Sequence, residues 1–224
     1  MAGARGPALE AGLPLANFAA ALGAARLEAT PESVHALRSH AAKFEARLWL
    51  CGRRALRDDL RSLRRACSAL RDLDACPPRG VAADELRARR AEHAKEFAKA
   101  LANRDLDALC AGLAFVPDVE LSAALARLAA LERRFAREGR AAWREEDPEA
   151  LHALRRRARR IRDAREWLGL DAARFARAHV ALGRWHDLVA AGELDAAIVT
   201  DALRDAKAAW RAAAKAADAA GGPA

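Results

Sequence analysis

The sequence predicts an all-α protein, and three observations carry that prediction. Ala, Leu and Arg dominate the chain, and all three are good helix formers. Tyr is absent, aromatic residues make up 5% and β-branched residues are scarce, so strands lack their usual material. The prolines, eight in all, fall at the ends of segments rather than inside them. With 224 residues, 53% hydrophobic and 31% charged, the chain has a globular balance and enough length for one or two cored domains. That balance argues against a disordered chain.

The elements follow from start and stop signals. A first helix is expected over about 14–28, ahead of Thr30-Pro31-Glu32, which supplies an N-cap, a proline in the first turn and an acid beside it. This signal opens a helix over 31–50, and the next is expected over 54–72. Cys76-Pro77-Pro78-Arg79-Gly80 breaks the chain, and helices are expected at 82–103 and, shorter, near 105–113. Phe115-Val116-Pro117-Asp118 is a second break, before a helix over 118–140. Asp147-Pro148-Glu149 repeats the cap–proline–acid signal and opens a helix over 148–169. Helices at 171–191 and 194–218 complete the series, and the tail Ala219–Ala224 is expected to fray. No stretch reads as a long flexible linker.

Two of these helices are copies. Residues 30–38 read TPESVHALR and residues 147–155 read DPEALHALR, with the prolines 117 positions apart at 31 and 148. About 35 residues after each histidine comes an aspartate near a helix end. In the first half it sits in Leu70-Arg71-Asp72-Leu73-Asp74, and in the second in Leu182-Gly183-Arg184-Trp185-His186-Asp187. The chain therefore reads as two related helical halves, about 10–115 and 116–218.

Charge gives the repeated helix a purpose. Lys and Arg total 39 against 31 Asp and Glu, a net charge of +8 that favours polyanionic partners. Arg greatly outnumbers Lys, and its planar fork binds phosphate oxygens bidentately; a GC-rich genome enriches Ala and Arg as well. Laid out at about 100° per residue, Arg155, Arg156, Arg159, Arg160 and Arg162 all fall within about 80° of His152. Leu154, Ala158, Ile161 and Leu168 lie on the opposite side, with Arg157 and Arg165 flanking them so that their stems cover the core edge. The stripe offers few acids at i±3 or i±4, so its arginines repel one another unless an anion neutralises them. The helix after Pro31 repeats the stripe more weakly, with His35, Arg38 and Lys43, while Ala42 and Glu45 take the places of Arg159 and Arg162.

These residues resemble the CHAD family, the conserved histidine α-helical domain. Val34-His35-Ala36-Leu37-Arg38 and Leu151-His152-Ala153-Leu154-Arg155 match its V/L-H-x-L-R helix start. The downstream segment Leu182-Gly183-Arg184-Trp185-His186-Asp187 matches its LG-x-x-[RH]-D element, Arg71-Asp72 keeps the closing [RH]-D pair of that element, and the likeness spans about 10–215. The resemblance implies two bundles of about four helices each, related by a pseudo-twofold axis, with a basic groove between them. It implies non-enzymatic binding of inorganic polyphosphate and association with polyphosphate granules. It places the binding residues at His35, Arg38 and Lys43 in the first half. In the second half it places them at His152, Arg155, Arg159, Arg160 and Arg162, beside which Arg156 joins the stripe. Arg71 matches a basic position of the family but has aspartates close by to pair with.

Other readings have less to stand on. Cys51, Cys67, Cys76 and Cys110 lack metal-ligand spacing, and His35 and His40 do not share a helix face, so no metal or cofactor is expected. His186-Asp187 alone does not make a metal phosphohydrolase, and Asp187 is expected as a buried partner of a basic residue. No Walker loop, nucleophile elbow or carboxylate pair points to an enzyme. Trp143, Trp167, Trp185 and Trp210 are expected to pack between helices, and His93 and His179 to lie at the surface or in packing. A nucleic-acid-binding helical module is the main rival, weakened by the near absence of Asn and Gln for reading bases. A structural protein of the granule with an incidental stripe is another. No long apolar run near residue 1 reads as a leader or membrane span, so the expectation is a cytoplasmic protein without a membrane partner.

Overall fold

The computed structural model describes residues 12–75, 81–115, 120–192 and 195–220, all helix and connecting turns, with no strand among them. Ten helices run in order: α1 Gly12–Leu27, α2 Pro31–Leu50, α3 Arg54–Ala66, α4 Ser68–Ala75, α5 Ala83–Ala102, α6 Leu106–Ala114, α7 Leu121–Glu145, α8 Pro148–Trp167, α9 Ala173–Ala190 and α10 Ala196–Ala220. The expected break at 76–80, most of the break at 115–118 and the last four residues of the tail lie outside the described residues.

Both copied start signals cap their helices as the sequence implies. Thr30 Oγ1 accepts from the Ser33 amide at 3.1 Å, and the Asp147 carboxylate accepts from the amides of Glu149 and Ala150 at 3.0 and 3.2 Å. Two boundaries differ from expectation. The helix expected over 54–72 is interrupted at Cys67, because the Arg64 carbonyl accepts Ser68 Oγ at 3.1 Å and Arg38 Nη1 at 3.2 Å. Side chains there compete for a helical acceptor, one of them from 26 residues away. Helix α7 runs to Glu145 rather than 140 and passes through Gly139. Trp210 of α10 lies against the glycine's Cα, so Gly139 serves helix packing instead of ending the helix. The terminator is Glu146, in the left-handed region at φ 49°, just before the Asp147 cap.

The chain divides into two compact units, Met1–Asp118 and Val119–Ala224. In the first, α2 packs on α1, α3 and α4, α5 lies against α3 and α4, and α6 packs on α1 and α3. Its core centres on Phe18, Leu37, Phe44, Leu48, Leu60, Leu63, Leu70 and Phe97, with Phe18 and Phe44 edge to face at 5.6 Å. In the second unit α7 packs on α8, α8 on α9, α9 on α10, and α10 returns to α7. Alanines at 178, 202, 206, 213 and 217 are buried there, and Phe135, Phe175, Trp143, Trp185 and Trp210 fill the space between helices. Trp167, the fourth tryptophan expected in packing, is only half-buried. Among the described residues no helix is long and apolar enough to cross a membrane.

Candidate anion-binding face

The site is built on α8 and α9 of the second unit. Leu154, Ala158 and Ile161 are fully buried, and this apolar side fixes the rotation of α8. Opposite it, the basic stripe is half-buried rather than solvated: the side chains of Arg155, Arg159 and Arg162 are 20%, 24% and 20% exposed. Arg157 and Arg165 flank the core as their positions predict. Arg157 bonds Glu138, and Arg165 donates to the buried Glu132 at 2.6 Å while its guanidinium stands 5.5 Å from the Phe175 ring centroid.

Across from the stripe, α9 supplies His179, Gly183, His186 and Asp187. The His152 and His186 rings lie 4.6 Å apart. Arg155 Nη1 is 3.4 Å from both His186 Nδ1 and Asp187 Oδ1. Burial and the neighbouring charges of His186, Arg156 and Arg155 hold His152 below the usual imidazole range. His179 is pushed down to about 4, first by burial and then by Arg162, Arg159 and Arg155, with Asp187 opposing. Nδ1 of both His152 and His179 is buried without a hydrogen-bond partner. Burial first, and the charge gathered on α8 second, hold both imidazoles below their usual range.

Two expectations need correction. The stripe does have acidic neighbours: buried Asp163 accepts from Arg162 Nε at 2.9 Å and stands 3.8 Å from Arg159 Nε, and Glu166 is 3.7 Å from Arg162. Asp163 lies at the centre of the stripe, where two guanidiniums offset the cost of its burial. Asp187 does partner Arg155, but its side chain is 57% exposed instead of buried, because it sits on the last turns of α9.

Of the remaining stripe residues, Arg156 is exposed and Arg160 half-buried. In the first unit the copied residues sit differently. His35 and Lys43 are exposed, and Ala42 and Glu45 are buried. Glu45 receives Arg61 at 2.9 Å and bonds Arg64. Arg38 donates to Ser68 Oγ at 2.8 Å and to the Arg64 carbonyl, and burial together with Arg71 and Arg64 lowers its pKa. Arg71 pairs with Asp72 at 3.0 Å, as its neighbours in sequence imply. Asp74 is taken by Arg90 at 2.7 Å, so Asp72 is the counterpart of Asp187.

Sequence reasoning assigned His179 to surface or packing; it is half-buried with Nδ1 sealed from solvent, and Arg162, Arg159 and Arg155 stand near enough to act on it electrostatically. The signal was present as spacing: His179, Gly183 and His186 stand at i, i+4 and i+7 on one face of α9. His93, by contrast, is at the surface, 3.1 Å from Glu96. Among the described residues no group of three metal-ligating side chains converges. Comparison of the chain with protein-family models, curated proteins and solved structures finds no match in any of the three.

Proposed function

We propose that the protein is a CHAD-type, non-enzymatic binder of inorganic polyphosphate, and that the α8–α9 face is its binding surface. The observation that supports the reading is the stripe itself: Arg155, Arg159 and Arg162 stand half-buried on one side of α8, with Arg155 reaching the His152–His186 pair between α8 and α9. A face with that much positive potential gains from a polyanion that displaces its counterions. A linear polyphosphate has closely spaced charges and no bases, which suits arginines on successive turns of one helix without Asn or Gln beside them. His152, Arg155, Arg156, Arg159, Arg160 and Arg162 are the proposed contacts, with His35, Arg38 and Lys43 as the weaker copy. The pseudo-twofold arrangement around a basic groove and the location on cytoplasmic polyphosphate granules belong to the same proposal, on the strength of the family resemblance.

The test is competition binding at near-physiological salt. Labelled long-chain polyphosphate is challenged with duplex DNA, structured RNA and short phosphates at equal phosphate concentration. Selective displacement by unlabelled long-chain polyphosphate is the expected result, and equal competition by DNA or RNA would make the protein a general polyanion binder. Arg155→Ala with Arg159→Ala is expected to cost at least tenfold in affinity. Arg87→Ala with Arg89→Ala removes the same charge from exposed pairs with Asp84 and Glu85 and is expected to cost much less.

A further inference from the structure

The copied arginines Arg38 and Arg155 begin from the same place on copied helices, yet their guanidiniums do different things. In the first unit Arg38 is tied down by Ser68 Oγ at 2.8 Å and the Arg64 carbonyl at 3.2 Å. In the second unit Arg155 lies over Gly183, a buried glycine in the middle of α9. A Cβ added at Gly183 would stand 3.2 Å from both Nε and Nη2 of Arg155 and 3.4 Å from its Cζ. The neighbours line up as well: Asp72 acts electrostatically on Arg38 as Asp187 contacts Arg155, and Arg71 bears on Arg38 where His186 lies beside Arg155. Counted back from those aspartates, Ser68 and Gly183 occupy the same position.

Glycine is costly in a helix interior, and Gly183 has no turn to make. Its use here is the close approach of a side chain to the helix backbone. We infer that Gly183 is a positioning residue for anion binding, and that the residue at this place decides whether the copied arginine serves as a ligand or as a strut. With glycine, the Arg155 guanidinium rests on α9 between the stripe and the His152–His186 pair, and its 3.4 Å contacts to His186 and Asp187 are ones a phosphate oxygen can replace. With serine, Arg38 is consumed by a hydroxyl and a carbonyl at the α3–α4 break. Binding through this arginine is thereby weaker in the first unit than in the second. The inference rests on the polyphosphate-binding reading for its ligand, and on the packing of Arg155 alone for its geometry.

The experiment is a series at one position in the full-length protein: Gly183→Ala, Gly183→Ser and, for reference, Arg155→Ala. With labelled long-chain polyphosphate, Gly183→Ala is expected to weaken binding about threefold and Gly183→Ser about tenfold, approaching Arg155→Ala. Gly183→Ser combined with Arg155→Ala is expected to bind no more weakly than Arg155→Ala alone. The melting temperature of Gly183→Ala should equal or exceed that of the native chain, because the added methyl meets only the movable end of Arg155 and alanine favours helix. A second readout needs no ligand. Displacing Arg155 removes a charge that depresses His152, so the His152 imidazole, followed by NMR, should titrate at higher pH in Gly183→Ser than in the native chain. Native-like affinity in both glycine variants, or an unmoved His152 titration, overturns the inference. If the native protein does not bind polyphosphate at all, the proposed function fails, and the His152 titration still decides the placement of Arg155.

Discussion

Substituting Gly139 by Ala puts the packing of the second unit to a direct test, because two opposing effects are both readable from the structure. Alanine in place of glycine inside a helix gains about 1 kcal/mol from backbone entropy and propensity. Against this, the new Cβ would overlap Nε1 and Cε2 of Trp210 and stand 2.8 Å from its Cζ2. Ordinary contact needs about 3.5–4.0 Å, so the indole must retreat by about 1.5 Å. It has nowhere to go: Trp210 is 6% exposed and its ring lies 6.2 Å from that of Trp143. Overpacking a rigid ring costs about 2–3 kcal/mol, the upper part of the usual range, which leaves a net loss of about 1–2 kcal/mol. Thermal melts followed by far-UV circular dichroism should show a fall of about 2–8 °C. Gly23 supplies the control, since it sits in α1 with nothing within 4 Å of its added Cβ, and Gly23→Ala should raise the melting temperature. If both substitutions raise it, the account of the α7–α10 contact is wrong.

Three further outcomes are expected. His179 has a folded pKa of about 4, below its unfolded value, so the unfolded chain binds more protons between about pH 6.5 and 4; stability should fall as pH drops through that window. The cost is about 2 kcal/mol after solvent screening, and His179→Gln should flatten the dependence of melting temperature on pH there; an unchanged slope contradicts it. Cys67 is fully buried, with its thiol pushed up to about 11, so iodoacetamide followed by mass spectrometry should modify Cys51 and Cys110 in the native protein well before Cys67. Asp163→Asn removes the carboxylate between Arg159 and Arg162 and should cost about 2 kcal/mol in chemical denaturation. The same variant should bind polyphosphate more tightly, and a parallel loss of affinity would mean that the two arginines need Asp163 for their placement.

Local rules were enough where structure is locally determined. The helices after Thr30 and Asp147 begin at Pro31 and Pro148 because cap, proline and acid act within one turn. The apolar sides of α2 and α8 are buried where periodicity puts them. The break at Cys67 was not legible in its own neighbourhood, since part of its cause is Arg38, which reaches it only after α2 has packed on α3 and α4. Gly139 has the same lesson, because a glycine that ends a helix and one that seats an indole look alike until Trp210 is in place. In the candidate site the arginine stripe could be read from spacing. Asp163, at about 20° from His152 on the same wheel, lay within it unremarked, and its role depends on burial that a wheel does not report. The arginines that act on His179 could not be read beside it, because they come from a different helix.

The order in which the helices of the second unit touch has a consequence for how that unit folds. Three of its contacts, α7 with α8, α8 with α9 and α9 with α10, join neighbours in sequence, so each closes a short loop at little entropic cost. Only the return of α10 to α7 is distant, with Trp210 meeting Gly139 after a detour of roughly seventy residues. Low contact order of this kind favours rapid folding, with the long-range seam paid for last. The arginines of α8 and the histidines of α9 lie on one of the early pairs. A charged face built on such a pair is expected to form before the unit closes, meeting its own repulsion while few packing contacts oppose it. On this view Asp163, Glu166 and Asp187 act first in time, letting a strongly cationic hairpin form at all.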